Sequence, residues 1–451
     1  MAAPTQNPTL SFLNLFKIPE LRNRILITCG ILLVYRLGYF IPLPGIDIST
    51  MEEARNAQGA RGSLFGMMSM LTGSSILQFD LFSLGVMPYI SASIILSLLV
   101  KVIPSLEALS KEGQAGQKRI NQLTRYLTIP ICIVQATFVY TGVIAKDYGN
   151  MRLLPDGPTL GGGVIIVIAL TAGAMFVMWL GEQIQEHGVG NGTSIIIMAG
   201  IIARLPQSIV SFFEVSENSG QALASVLEVL AIWVVVVAAI VYITKGQRRI
   251  PIQQQKMVRG GKVYSGQKHY LPLKLNMTGV MPIIFAQALF LVPSFIGEVF
   301  GLTKFRDLFY SPDGFVYITL YSALIFFFSF FWTTVMFRPG EIAENLKDSG
   351  AFIPGIRPGK RTEEYLEGVV MRVTLAGAAF LSIIAVIPGF VRSEFAYDAQ
   401  VSAFLGGTSV LIVVSVALDL VDKLNAQLVM RNYEGFLKSG LNPSGMTQRQ
   451  S

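Results

Sequence analysis

Charge is scarce in this chain of 451 residues. Only 14% of its side chains are Asp, Glu, Lys or Arg, against about 25% in an ordinary soluble domain. A soluble protein of this length needs far more polar surface to cover its core, so that class is excluded. Only two cysteines are present, Cys29 and Cys132, both within apolar runs, which argues against a disulfide framework and excludes a cysteine-rich metal site. Only two histidines, His187 and His269, are available for metal or acid–base chemistry. Neither has plausible partners in sequence. Gly188-Val189-Gly190-Asn191-Gly192 lacks the G-x-G-x-x-G spacing, and no strand is expected before it, so it is not a nucleotide loop. It reads as a flexible turn between two helices, with His187 a hydrogen-bonded turn residue beside it.

What the chain does have is apolar side chains, 52% of the total, at a mean hydropathy of +0.55. They come in long runs, and a helix needs about 20 such residues to cross ~30 Å of hydrocarbon. Ten candidate spans follow: 25–41, 80–103, 126–145, 164–183, 194–212, 223–243, 278–300, 315–337, 369–390 and 403–423. An even number puts both termini on one side. With the N-terminus inside, 26 of the 35 Lys and Arg residues fall on inner segments and eight on outer ones, the asymmetry expected of cytoplasmic connections. Two sets of five spans place the second set upside down relative to the first, the inverted-repeat plan of many transport proteins.

The first run ends in Pro42-Leu43-Pro44-Gly45 without a small-residue cleavage site, so it reads as a retained span and not a signal. Residues 1–24, mixing Leu10, Phe12, Leu13 and Phe16 with Lys17, Arg22 and Arg24, suit a helix in the headgroup region. Ionisable residues within the spans are few and lie near span ends, which suits a seal better than an ion relay.

Three connections stand out. The outer one contains Leu64, Phe65, Gly66, Met67, Met68, Ser69, Met70 and Leu71, about two turns of apolar helix and too short to span. It reads either as a surface helix dipping into the interface or as a re-entrant piece packed in the bundle. The segment 245–274 carries eight basic residues and no acidic one. Its length, the alternation at Lys262-Val263-Tyr264 and the Gly260-Gly261 pair point to a projecting basic hairpin, with Arg248 and Arg249 suited to phosphates or an acidic partner. In 338–367, proline–glycine turns flank Arg357 and present it for docking.

These strings together resemble the SecY family over essentially the whole chain. The resemblance rests on Tyr35-Arg36-Leu37-Gly38, Leu84-Gly85-Val86-Met87-Pro88-Tyr89-Ile90-Ser91, Met178-Trp179-Leu180-Gly181-Glu182, Gly190-Asn191-Gly192, Gly246-Gln247-Arg248-Arg249-Ile250, Gly350-Ala351-Phe352-Ile353-Pro354-Gly355-Ile356-Arg357 and Gly406-Gly407-Thr408-Ser409, in order. It implies an all-α polytopic membrane protein, with ten transmembrane helices in two pseudo-symmetric inverted halves around a central pore. The halves are 25–212 and 223–423, with 424–451 a cytoplasmic tail. The implied activity is a protein-conducting channel in the bacterial inner membrane, not an enzyme, without a cofactor. Its implied partners are SecE, SecG, the SecA motor, the ribosome, secretory and membrane preproteins, and lipids. By motif position the pore ring falls on Val86, Ile90, Thr193, Ile197, Ile284 and Ile412, and the plug on Leu64 to Thr72. Polar lateral-gate positions are Ser97, Gln135 and Asn276, and docking falls to Arg248, Arg249 and Arg357. The rival reading, an inverted-repeat solute permease, needs a polar pocket at mid-membrane that these spans do not offer.

Two positions depart from the family pattern. Thr193 puts a hydroxyl where an aliphatic side chain is usual, which either bonds back to a helix carbonyl or wets the neck. Ser97 replaces a longer amide, weakening a hydrogen bond across the closed gate. Both changes favour an easier opening. Thr193→Ile should therefore lower the closed-state ion leak of the purified channel in bilayers, and equal leak in the two would contradict it.

Overall fold

The structure is a computed structural model that describes residues 18–46, 79–145, 154, 157, 159–203, 206, 210, 222–254, 257–259, 262–264, 268–277, 279–287, 289, 293, 314–395 and 408–440. Its helices are α1 (Pro19–Gly38), α2 (Met87–Val102), α3 (Pro104–Lys111), α4 (Gln114–Val139, continued by a π-helical turn Tyr140–Ile144), α5 (Leu160–His187), α6 (Gly192–Ile202), α7 (Ala222–Lys245), α8 (Phe315–Met336), α9 (Pro339–Asp348), α10 (Lys360–Phe395) and α11 (Thr408–Gly440). A shorter helical stretch covers 281–287. The strands are β1 (Gln247–Gln254), β2 (Met257–Arg259), β3 (Lys262–Tyr264), β4 (Lys268–Lys274) and β5 (Ala351–Phe352). The chain is thus predominantly helical, as expected, with a small sheet built from 247–254, 268–274 and 351–352.

Each of the ten apolar runs contains helix. Three helical stretches among the described residues, Leu160–His187, Phe315–Asp348 and Lys360–Ile387, are long and apolar enough to cross a membrane, and a fourth is reached if α2 and α3 count as one broken span. The break is a bend of 100°. Its cause is Pro104, which forces Ile103 out of the helical region to φ −98°, ψ 112°. The run at 80–103 becomes helix only at Met87, since 79–86 form turns with Phe79 (φ 47°) and Gly85 (φ 54°) in left-handed conformation. Hydroxyls inside the apolar helices are satisfied locally. In α4, Thr124, Thr128 and Thr137 donate to the carbonyls of Ile120, Thr124 and Ile133 at 2.7–3.0 Å, which hides them from hydrocarbon. The N-terminus of α5 is capped by Thr159, whose hydroxyl accepts from Gly162 N–H.

The chain forms two compact units. One comprises Met1–Gly59, Thr72–Ile202 and Val416–Ser451, the other Ala60–Leu71 and Ala203–Ser415. In the first unit α1 packs on α5, α2 on α4, α4 on α5, and α5 on α6. Glycine permits the closest of these approaches, because a Cβ on Gly173 would overlap the Leu81 carbonyl oxygen and one on Gly116 the Leu109 carbonyl oxygen. In the second unit α8 and α10 lie together, joined by a buried bond of 3.2 Å between Thr374 and Thr333 hydroxyls.

The second unit also holds the sheet. β1 pairs antiparallel with β4, from Gln247 opposite Lys274 to Gln253 opposite Lys268, and also with β5 through Gln253–Phe352 and Gln254–Ala351. The order is therefore β4-β1-β5, with β2 and β3 a separate two-stranded ribbon. Ile250 of β1, Leu273 of β4 and Ile353 just after β5 share one core with Leu366, Val369, Val370 and Val373 of α10.

Gly173→Ala inserts a methyl group against backbone, whereas Gly161→Ala on the same helix meets open space. The first should cost about 1–3 kcal/mol, read as a lower unfolding temperature in detergent, and the second should leave it unchanged. An unaltered transition for Gly173→Ala would contradict the tight seating of residue 81.

Candidate functional site

The six candidate ring residues are all described. Val86 caps α2 and Ile90 lies one turn on, its N–H donating to the Val86 carbonyl at 3.0 Å. Thr193 and Ile197 stand at the same spacing on α6. Ile284 lies in 281–287, its N–H donating to Val280, and Ile412 is in the second turn of α11. The five aliphatic members are buried, none more than 8% exposed, and Thr193 is half-buried. Among the described residues the Thr193 hydroxyl has no hydrogen-bond partner, so the back-bond considered from sequence is not made. Val86, Ile90, Thr193 and Ile197 belong to the first unit, Ile284 and Ile412 to the second.

Both helix starts in the first unit are held by built turns. The 79–86 turn is tied to the end of α1, because Leu43 N–H donates to Phe79 O (2.9 Å) and Leu81 N–H to Ile41 O (3.0 Å). Within it the Ser83 hydroxyl donates to the Asp80 carbonyl (2.6 Å). The Phe82 ring is stacked between Tyr35 of α1 and Phe176 of α5, with centroids 6.2 and 5.8 Å away. A Cβ on Gly38 would overlap that ring.

The 188–192 turn is equally fixed, which corrects its reading as a flexible turn. Val189 N–H donates to the Thr28 hydroxyl (3.2 Å), and Arg24 reaches the Gly188 carbonyl (3.4 Å). Leu21, Val189 and Leu424 form a small core. Gly190 takes φ +85° against Ile195 and Leu420, while a Cβ on Gly192 would overlap the Gly181 carbonyl oxygen. The Asn191 side chain accepts from Ser194 N–H at 3.4 Å, an N-terminal cap for α6. His187 is exposed and, among the described residues, makes no hydrogen bond, so its expected turn role is not observed.

Of the gate positions, Ser97 is on α2 and Gln135 on α4, two helices that pack together, and Asn276 follows β4. The Ser97 hydroxyl donates to the Ser93 carbonyl at 2.7 Å, so its donor is used within its own helix. An ion pair that sequence reasoning missed joins α4 to α5, with Arg125 Nε 2.6 Å from Glu182 Oε1. The signal available was two opposite charges near span ends, without a fixed spacing to pair them. The plug candidates Leu64, Phe65, Gly66, Met67, Met68, Ser69, Met70, Leu71 and Thr72 lie outside the described residues.

Arg248, Arg249 and Arg357 are exposed. The first two ride on β1 opposite Leu273 and Pro272. Arg357 follows β5 in a turn with Gly355 (φ +83°) and Gly359 (φ +102°) left-handed, and its carbonyl accepts from the Thr362 hydroxyl at 3.0 Å. The two long connections read separately from sequence are therefore one sheet-based element.

The sequence matches the SecY family model over residues 80–421. It is similar to the protein translocase subunit SecY of Thermotoga maritima, 41% identical over 433 residues that cover 95% of this chain and 98% of that protein. The protein translocase subunit SecY of Escherichia coli is 41% identical over 426 residues, 93% of this chain and 94% of the relative. Among solved structures, one described as a protein conducting channel is similar at a TM-score of 0.63, with 20% identity over 93% of this chain and 97% of the other. Sec61 in the canine ribosome–channel complex from the endoplasmic reticulum is similar at 0.60, with 19% identity and the same coverage.

Ile353 is 3% exposed in the core under the sheet. Ile353→Ala should loosen the Arg357 turn by about 2–5 kcal/mol, read as faster amide exchange across 351–362 with the first turns of α5 unaffected. Unchanged exchange would detach the turn from that core.

Proposed function

The chain belongs to the SecY family, and we propose that it forms a protein-conducting channel. In this reading it passes unfolded secretory polypeptides across the bacterial inner membrane and releases transmembrane segments sideways into the bilayer. It is a multi-pass membrane protein of ten spans in two inverted five-helix halves, 25–212 and 223–423, with both termini cytoplasmic. Val86, Ile90, Thr193, Ile197, Ile284 and Ile412 form its neck, residues 64–72 its plug, and Ser97, Gln135 and Asn276 the polar positions of its lateral gate. The observation that carries the reading is the placement of the aliphatic neck candidates. Each is buried and lies within the first two turns of a helix, or caps one.

Bulky apolar side chains meeting at a neck expel water when nothing threads it, which blocks ions. The same side chains give a passing polypeptide no polar site to bind. A charged residue in hydrocarbon costs roughly 2.5–3.5 kcal/mol even on insertion scales, so a polar chain needs this aqueous route. A segment of about ten Leu-like residues gains roughly 3–6 kcal/mol in lipid, enough to draw it out through a parting seam. No bond is made or broken in the channel, and the work comes from partners.

SecE and SecG are its membrane partners, and the SecA motor and the ribosome dock on the sheet through Arg248, Arg249 and Arg357. The likeness to Sec61 in a ribosome–channel complex supports the ribosome as a partner. The exposure of Arg248 and Arg249 on β1 and of Arg357 just after β5, the strand paired with β1, supports a docking role, since a preorganised cation loses less freedom on binding. Arg357→Glu should abolish export of a secretory precursor into liposomes with motor and ATP while the complex still assembles. Normal export would refute the role of Arg357.

A further inference from the structure

We propose that α1 is a strut that sets the positions of both ring-bearing helix starts in the first unit, with Thr28 and Gly38 as its positioning residues. The proposal rests on the neck assigned above and adds the element that holds half of it in place. Val86 and Ile90 follow one turn, Thr193 and Ile197 the other, and the two turns lean on the same helix, one along its N-terminal half through Arg24 and Thr28 and the other at its C-terminal end. Thr28 and Gly38 are ten residues apart on a continuous helix, about 15 Å along its axis. A rigid rod of that length fixes the spacing between the two turns along α1, and neither turn is held by its own bonds alone.

At Thr28, midway along α1, the contact is specific. The hydroxyl donates to the Arg24 carbonyl (2.9 Å) and accepts from Val189 N–H (3.2 Å), so both of its capacities are used. Thr28 is 7% and Val189 2% exposed, and water does not readily replace that acceptor. Gly188 leaves no room for a Cβ beside the hydroxyl, and Arg24 grips the Gly188 carbonyl. At its C-terminal end α1 runs into Tyr39–Ile46, which bonds to Phe79 and Leu81, and Gly38 gives way to the Phe82 ring. A shift of α1 therefore moves the starts of α2 and α6 together.

The test uses the channel purified with its membrane partners and reconstituted in liposomes. Closed-state ion leak and export of a precursor with a defective signal sequence are measured alongside export of the intact precursor. Thr28→Val keeps the shape of the side chain but withdraws both hydrogen bonds, leaving Val189 N–H unpaired. Leak should rise by about fivefold or more, with the defective precursor gaining export. Thr28→Ser, which keeps the hydroxyl, should restore the parent values, a rescue that a merely structural loss of methyl packing would not give. Leu26→Ala, on an exposed face of the same helix, should stay tight. Should the valine variant fail to accumulate, Arg24→Met withdraws the neighbouring bond and carries the same expectation. Ile197→Ala reports on the neck itself. If it leaks while Thr28→Val or its replacement stays tight, the strut is wrong and the neck stands. If neither leaks, the neck assignment fails and takes the strut with it.

Discussion

Backbone N–H and C=O groups cannot be left bare in hydrocarbon, and among the described residues that demand shapes the turns that lead into α2 and α6. The two irregular segments of the first unit, 79–86 and 188–192, meet it by pressing against neighbouring helices. Leu43 and Leu81 exchange backbone bonds with Phe79 and Ile41, and the Thr28 hydroxyl takes the Val189 N–H. Glycines at 38, 173, 188 and 192 make those approaches possible, because a side chain at any of them would collide with ring, hydroxyl or backbone. The helices that emerge from these segments carry Val86, Ile90, Thr193 and Ile197. Satisfying the backbone and setting where the proposed neck residues stand are therefore one structural act.

The charged part of the molecule follows a different logic. Its basic connection is a sheet, β4-β1-β5, cemented from below by Ile250, Leu273 and Ile353 against α10. Arg248 and Arg249 on β1 are exposed, as is Arg357 in the turn that follows β5. In the apolar part threonines of α4 bond one turn back and Arg125 pairs with Glu182 of α5.

Much of this was legible in the sequence. The apolar runs located the helices. The alternation around Gly260-Gly261 foretold the β2–β3 ribbon, and the proline–glycine turns foretold an exposed Arg357. What stayed hidden was non-local. The pairing of Gln253 with Phe352 joins residues a hundred positions apart and leaves no periodic trace. The glycines of 188–192 looked like freedom and turned out to mark contact, because a missing side chain serves either purpose and only the neighbours decide. The 79–86 turn was absorbed into a predicted span, since Leu81, Phe82, Leu84 and Val86 are as apolar as any helix. For the same reason the neck residues were singled out by resemblance alone, because a buried isoleucine in a pore and one in a core look identical in one dimension.

The central claim is that these aliphatic side chains meet on a common axis. Paired cysteines at Ile90→Cys and Ile412→Cys, in a chain with Cys29 and Cys132 replaced, test it directly, since a disulfide forms only when the Cβ atoms come within about 3.5–4.5 Å. Oxidation of the idle channel should link the pair and stop export until reductant is added. Absence of the bond, with both cysteines instead labelled by a lipid-dissolved maleimide, would put them on the outer surface and contradict the account.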